Sequence, residues 1–241
     1  MWQSIVFLAA FFIGSATLRA SEQRPDRGPL KYTQEIFKPT EQWAVDAIYD
    51  TLEMIDELCR LHNIPYALTG GTLLGSHWYD GLIKWDDDGD LVMLEEDVER
   101  LLALRDELER RGYAISTSEW GYYIFPLNGL PSKKGKNYPA IDLFPLKMRN
   151  GKYRCAIEKA YRKWPKEYIS VDEWSRITDV PFGHLTLRGH TGPDAERMLN
   201  SSYGTDWKRV ACSWWDHKNE RRRKMIYVRL EEHTPALRSP K

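Results

Sequence analysis

Four aspartates occupy five consecutive positions in the segment "IKWDDDGDLVML": Asp86, Asp87, Asp88 and Asp90. The apolar residues on both sides predict that the segment is buried, and crowded buried carboxylates raise one another's pKa values unless a cation neutralises them. A hard divalent cation such as Mg²⁺ binds carboxylate oxygens and often shares its coordination with a substrate phosphate. The spacing therefore predicts a metal site. A solvated acidic turn is the alternative interpretation.

The acidic run does not fit a calcium-binding EF-hand loop. Such a loop starting at Asp86 needs glycine at its sixth position, where this chain has Leu91. We expect instead a strand from Asp86 to Leu94, in which alternate side chains point to opposite faces. This register predicts that Asp86, Asp88 and Asp90 share one face and that Asp87 lies on the other.

A glycine pair, Gly70-Gly71, precedes the aspartates and is followed by Thr72. Glycine lets backbone N–H groups approach a phosphate closely, and a helix N-terminus attracts the same anion. We expect a helix to begin here with Thr72 as its N-cap. The segment thus predicts a phosphate-binding turn just before the metal-binding strand. Lys84 is a further candidate for phosphate contact, although a solvated lysine fits its position equally well.

A single charge, Asp142, interrupts the apolar segment "AIDLFPL" at residues 140–146. An unpaired buried carboxylate is costly, so we expect a specific partner for it. A metal ion shared with Asp88 and Asp90 is one such partner, and a backbone N–H or an arginine is the alternative.

The elements that must position these residues follow from periodicity and turn signals. Apolar residues recur at helical spacing from Glu41 to Leu61, and acidic residues begin a second long helix at residues 95–112. Short apolar runs predict strands at 66–69, 86–94, 113–117, 122–127 and 140–146. The order predicts an α/β or α+β fold with one central sheet. Beyond Asn150 the pattern weakens, and we expect a mostly helical C-terminal part packed on that sheet.

The segment "GGTLLGSHWYDGLIKWDDDGD" resembles the signature of the LicD/fukutin family, and "AIDLFPL" is similar to that family's third acidic strand. The resemblance implies a nucleotidyltransferase-type fold whose central mixed sheet is flanked by helices. It also implies that Mg²⁺ or Mn²⁺ supports transfer of a phospho-alcohol group from a CDP-alcohol donor to a glycan or glycoconjugate hydroxyl. Phosphocholine, phosphoglycerol and phosphoribitol are the implied types of group.

The resemblance also implies roles for individual residues. It places Gly70, Gly71 and Thr72 on the donor phosphates, Asp88, Asp90 and Asp142 at the metal and in catalysis, and Asp86 as an accessory metal ligand. Three positions depart from the family pattern: Trp78 and Tyr79 replace a common Arg-His pair, and Lys84 replaces a proline. The altered Trp78 and Tyr79 leave open the alternative of a catalytically degenerate lumenal binding or scaffold protein. A second alternative, an enzyme that transfers the nucleotide, would use the same metal chemistry.

The N-terminus indicates the compartment. An apolar stretch from Ile5 to Leu18 has the length of a signal-peptide core. We expect a signal peptide or signal anchor at 1–20, a linker at 21–40, the catalytic domain at 41–210 and a basic extension at 211–241. The protein would then lie in the ER or Golgi lumen, be secreted, or be anchored as a type II membrane protein. The sequon at Asn200 would become available for glycosylation there.

Charge and cysteine usage narrow the partners. Acidic and basic residues balance at 35 each, which argues against nucleic acid as a partner, and membrane contact is expected only through an uncleaved anchor. Cys59, Cys155 and Cys212 have no metal-ligand spacing, although Cys155 and Cys212 form a candidate disulfide in an oxidising lumen. The basic run "HKNERRRK" at 217–224 is expected to be a solvated helix face, with contact to an anionic ligand as the alternative.

Overall fold

The computed structural model describes residues 38–132, 135–205, 207, 210–229 and 234–240. The predicted signal segment at 1–20 and the linker residues 21–37 lie outside the described residues. None of the helices in the described ranges is both long and apolar enough to cross a membrane.

The fold is a mixed α/β arrangement with one main sheet. The helices are α1 (Gln42–Leu61), α2 (Gly70–Tyr79), α3 (Glu95–Leu102), α4 (Arg105–Arg110), α5 (Glu158–Lys163), α6 (Val171–Ser175) and α7 (Gly192–Tyr203). The strands are β1 (Ala67–Leu68), β2 (Gly89–Leu94), β3 (Tyr113–Thr117), β4 (Tyr122–Pro126), β5 (Leu130–Pro131), β6 (Asn137–Tyr138), β7 (Ile141–Arg149), β8 (Lys152–Cys155), β9 (Ile169–Ser170), β10 (Thr178–Phe182), β11 (Leu185–Gly189), β12 (Val210–Asp216) and β13 (Arg221–Arg229).

The seven-stranded main sheet has the strand order β1-β2-β7-β4-β3, with β8 on β7 and β9 on β8. Strands β2 and β7 run parallel, whereas the other neighbours are antiparallel, so the predicted central mixed sheet is confirmed. Helix α1 packs against this sheet through its apolar stripe. The packing fully buries Ile48, Leu52 and Ile55. The parallel β2–β7 pair matters most for function, since it carries Asp90 and Asp142 side by side.

Two predicted element boundaries near the glycine pair are wrong. Strand β2 begins at Gly89, so Asp86, Asp87 and Asp88 lie in the preceding loop and strand alternation does not set their directions. Helix α2 begins at Gly70 and its N-cap position is Thr69, which places Thr72 inside the first turn. The helix starts earlier because Gly70 adopts a φ of 50°, a left-handed conformation that glycine tolerates.

The prediction of a mostly helical C-terminal part is also wrong. The described residues beyond 150 form the hairpins β10–β11 and β12–β13 as well as three helices. In the first hairpin, buried and more exposed side chains alternate, with Val180, Phe182, Leu185 and Leu187 directed inward. This period of two is typical of a half-buried strand. The basic run is a turn at 217–220 followed by β13, and not a helix.

Two further sequence expectations differ from the structure. The long helix predicted at 95–112 is interrupted between α3 and α4, although neither glycine nor proline marks the break. Cys155 is buried and its thiol is free, so the candidate disulfide is not formed.

The C-terminal residues 234–240 pack against α1 and the loop that follows α2. The backbone of Ala236 pairs with Leu82, and the Tyr49 hydroxyl donates to the Ala236 carbonyl at 2.8 Å. Arg238 forms an ion pair with Asp50 of α1. These contacts hold the loop that leads from α2 to the aspartates against α1.

Candidate metal and phosphate site

Three carboxylates converge where β2 and β7 lie side by side. Asp90 and Asp142 are register partners in parallel strands, so their side chains point to the same face of the sheet. Asp88 reaches the same place from the loop before β2, and the ligand oxygens of the three residues lie within 4.8 Å of one another. The structure therefore brings together residues that are more than fifty positions apart in the sequence.

The glycine pair lies directly against this cluster. The Gly71 N–H donates a hydrogen bond of 2.8 Å to Oδ2 of Asp90, and a Cβ atom at Gly70 would clash with the same carboxylate. A Cβ atom at Gly71 would lie only 2.5 Å from Oδ2 of Asp86. Both positions need glycine because carboxylates pack onto the backbone there.

Thr72 and Lys84 have structural contacts that the sequence did not indicate. The buried Thr72 hydroxyl accepts a hydrogen bond of 2.7 Å from the Asp90 backbone N–H and so ties α2 to β2. The Lys84 carbonyl accepts a 2.7 Å hydrogen bond from the Thr40 N–H. Contact of Gly70, Gly71, Thr72 and Lys84 with donor phosphates stays a prediction.

His217 is a member of the cluster that sequence reasoning missed. Its Nε2 lies 2.9 Å from Oδ2 of Asp88. The backbone N–H groups of His217 and Lys218 donate to Oδ2 of Asp87, at 3.1 and 3.4 Å, so Asp87 holds the turn that delivers the imidazole. The basic run was noticed in the sequence, but nothing in its spacing shows that its first residue crosses to the aspartates.

Burial and like charge dominate the electrostatics of the acidic residues. Burial, together with the charges of neighbouring aspartates, raises the pKa values of Asp86 and Asp90 well above the ordinary range. Burial and the Asp88 charge raise the pKa of Asp142 to about 6. Asp88 differs, because His217 and Lys136 overcome the effect of its burial and lower its pKa.

His217 is the cation that compensates this charge in the structure. Burial alone would favour its neutral form, but Asp88 and then Asp142 and Asp87 raise the pKa of the imidazole to about 10. The raised pKa favours the protonated imidazole, which donates to Asp88.

The donor set fits a hard divalent cation. Asp88, Asp90 and Asp142 offer only carboxylate oxygens, which Mg²⁺ and Mn²⁺ prefer. Among the described residues, Oδ1 of Asp142 is a buried atom without a hydrogen-bond partner, and a ligand would satisfy it. Asp87, Asp88 and His217 form a second group with metal-ligand spacing, whereas Asp86 belongs to neither group. The roles of Asp86, Asp88, Asp90 and Asp142 as ligands or catalysts stay predictions.

Comparison with known proteins places this site in a family. A family model described as "LicD/FKTN/FKRP, nucleotidyltransferase domain" matches residues 63–188, which include the glycine pair, the aspartate run and Asp142. This chain belongs to the LicD family. The family resemblance inferred from the sequence is thus confirmed, and so is the nucleotidyltransferase-type fold class.

Individual relatives of the chain are distant. The chain is 26% identical over 171 residues to an uncharacterised protein of Rickettsia prowazekii, covering 71% of this chain and 59% of that protein. A Rickettsia typhi protein is 23% identical over 171 residues, covering 71% of this chain and 50% of that protein. The chain therefore spans between half and three fifths of the length of these relatives.

A third relative has a named activity. The lipopolysaccharide cholinephosphotransferase LicD of Haemophilus influenzae is 34% identical over 68 residues, covering 28% of this chain and 26% of that protein. Among solved structures, the lincosamide antibiotic adenylyltransferase LnuA in its lincomycin-bound form has a TM-score of 0.36 and 16% identity, covering 61% of this chain and 82% of that chain.

Proposed function

We propose that this LicD-family chain is a metal-dependent transferase that moves a phospho-alcohol group from a CDP-activated donor to a glycan or glycoconjugate hydroxyl. The observation that carries this proposal is the convergence of Asp88, Asp90 and Asp142 beside the Gly70-Gly71 turn. Such a site combines carboxylates for a metal with a backbone turn suited to phosphate. The name of the Haemophilus relative favours phosphocholine as the first group to test.

The residues of the site would have different roles in this reaction. Asp88, Asp90 and Asp142 would hold Mg²⁺ or Mn²⁺. When bound, the metal would orient the donor diphosphate and stabilise the negative charge that develops on the leaving CMP. The N-terminus of α2 would favour the donor phosphates through its backbone dipoles.

Asp142 is also the candidate general base. A carboxylate has two oxygens. One carboxylate oxygen would hold the metal and the other would accept the proton of the attacking hydroxyl.

Product analysis tests the proposal and separates it from its alternatives. The purified chain would be incubated with CDP-choline, CDP-glycerol or CDP-ribitol, Mg²⁺ and a panel of glycans. Release of CMP together with a glycan that gains the phospho-alcohol mass is the expected result. In a parallel incubation with CTP in place of the CDP-alcohol, release of pyrophosphate with a nucleotide adduct would instead identify a nucleotidyltransferase. A folded protein that binds glycan or donor without any turnover would identify a binding or scaffold protein.

A further inference from the structure

A buried lysine, Lys136, lies beside the acidic site. Lys136 is only 3% exposed, and its Nζ lies 3.6 Å from Oε1 of Glu220 and 4.0 Å from the centroid of the Tyr123 ring. Tyr123 is the β4 register partner of Asp142, so Lys136 faces the edge of the carboxylate cluster.

One turn supplies partners to both the carboxylates and the lysine. The turn at 217–220 places the His217 imidazole on Asp88 and the Glu220 carboxylate near Lys136. An anionic group of the protein therefore lies by the lysine. A phosphate group bound in the same pocket would have the same sign of charge.

The Lys136–Glu220 pair is poorly built as a stabilising contact. At 3.6 Å the pair is longer than a hydrogen bond, and the desolvation of a buried ammonium is repaid only by excellent geometry. Glu220 also adopts a φ of 51°, a left-handed conformation that is uncommon for glutamate. A buried lysine with such a long ion pair is well placed to accept a stronger anionic partner.

We propose that Lys136 binds a phosphate group of the donor and that Glu220 occupies the position of this phosphate in the donor-free protein. The inference rests on the proposed function, because it takes the donor to be a nucleoside diphosphate derivative. On donor binding, the phosphate displaces the Glu220 carboxylate from Lys136. Lys136 is thus a donor-binding residue, and Glu220 competes with the donor.

The two partners of this ion pair should have opposite effects on binding. We would measure calorimetrically the binding of CDP, UDP, ADP and inorganic pyrophosphate to the full chain in the presence of Mn²⁺. Lys136→Met should weaken diphosphate binding about tenfold or more, and Glu220→Gln should strengthen it several-fold by removing the competitor. Lys136→Arg keeps the charge and should retain most of the affinity. Lys152→Met is the matched control, since Lys152 lies over the Tyr168 ring and should have no effect.

Controls separate binding from folding. Circular dichroism and thermal melts would show that each variant is folded, and Lys136→Met should not weaken binding of Mn²⁺ alone because the lysine is not a ligand. If Lys136→Met does not fold, the double variant Lys136→Met/Glu220→Gln replaces it, since it leaves no buried charge of the pair behind.

Several outcomes would overturn the inference. Equal weakening by Lys136→Met and Glu220→Gln would show a structural ion pair, and unchanged affinity in Lys136→Met or no diphosphate binding to the native chain would exclude the role of the lysine. The proposed function fails separately. If the native chain binds ADP or UDP but not CDP, the CDP donor is wrong, whereas Lys136 still binds phosphate if its substitution weakens that binding.

Discussion

At the scale of single residues, the site is defined by carboxylates that the protein alone does not fully neutralise. Asp86, Asp90 and Asp142 have raised pKa values because burial and like charges disfavour their ionised forms, whereas Asp88 is stabilised by His217. These buried like charges should consequently lower the free energy of unfolding of the metal-free protein. Removing a charge from the cluster should increase stability and decrease metal affinity together.

Asp90→Asn tests this trade-off. The asparagine oxygen can still accept the hydrogen bond from the Gly71 N–H, while one of the crowded charges is lost. We expect the metal-free protein at pH 7 to gain about 1 kcal/mol of unfolding free energy. Mn²⁺ affinity, measured by calorimetry, should fall about tenfold or more, because a ligand charge is missing.

Asp97→Asn is the matched control for Asp90→Asn. Asp97 is also buried, but it pairs with Arg100 at 2.7 Å and lies outside the cluster. Its substitution should lower the melting temperature and leave Mn²⁺ affinity unchanged. A loss of stability in both variants would contradict the interpretation that Asp90 is electrostatically strained.

The pKa of Asp142 predicts a pH dependence of stability. The folded state raises this pKa from about 3.8 to about 6, so the native protein binds the proton more tightly than the unfolded chain does. Stability from this group is therefore complete below about pH 4 and is lost as the pH rises through about 6. The loss should be on the order of 1–3 kcal/mol.

Chemical denaturation of the metal-free protein at a series of pH values measures this effect. The stability of the native chain relative to Asp142→Asn should decrease between about pH 4 and pH 7, and saturating Mg²⁺ should reverse the decrease. A stability difference that does not change with pH would show that Asp142 titrates normally. His217 adds a decline in the same direction at higher pH, because its pKa is raised to about 10.

At the scale of secondary structure, the site depends on how closely α2 approaches β2. Gly71 donates to the Asp90 side chain, Thr72 accepts from the Asp90 backbone, and the Thr69 N–H donates to the Asp90 carbonyl. The first turn of α2 therefore surrounds one aspartate. Gly70 makes this possible because its positive φ and missing Cβ let the helix begin directly against the strand.

Gly70→Ala should damage both the fold and the site. The new Cβ meets the Asp90 carboxylate and the backbone is strained at a φ of 50°, so we expect a loss of about 2 kcal/mol or more. Mn²⁺ affinity should decrease as well, since the aspartate must move.

Gly112→Ala separates backbone strain from the clash in Gly70→Ala. Gly112 also has a positive φ, of 87°, but a Cβ atom there would meet nothing within 4 Å. This control should lose only about 1 kcal/mol and keep full metal affinity. If both variants lose stability and affinity equally in thermal melts and calorimetry, steric contact with Asp90 is not the reason.

At the scale of the whole molecule, segments that are distant in sequence pack around the aspartates. Residues 234–240 pack on α1 and on the loop that leads to Asp86, while the turn at 217–220 contacts Asp87 and Asp88. The part of the chain predicted as a basic extension thus contacts the site. Its truncation would remove His217 and Glu220 from the pocket, although both lie outside the segment that matches the family model.

We also propose that the protein enters the secretory pathway. The apolar stretch from Ile5 to Leu18 is followed by small and polar residues, as at a signal-peptide cleavage site. Expression in secretory cells should yield a product that has lost its first sixteen to twenty residues or is held in the membrane by them. Mass spectrometry of a cytosolic, unglycosylated chain with an intact Met1 would contradict the proposal.

The sequence determined those features that depend on neighbours along the chain. The apolar stripe of α1 and the short strands follow from local spacing, and so does the position of Asp90 and Asp142 in apolar strands. Local patterns were sufficient there because helix and strand periods decide which side chains are buried. The convergence of Asp90 with Asp142 depends on the parallel pairing of β2 with β7. Local patterns predicted the wrong start for β2, because Asp86 to Asp88 lie in a loop whose path is set by tertiary contacts.

Only the tertiary structure decided how the charges of the site are compensated. His217 meets Asp87 from 130 positions away, and Lys136 meets Glu220 because a strand hairpin, not the expected helix, brings the basic run back to the sheet. The spacing of buried side chains in a strand or helix does not show which distant turn will contact that element. The protein's burial of like charges makes such a crossing favourable, because a buried carboxylate needs a partner from wherever the fold can supply one.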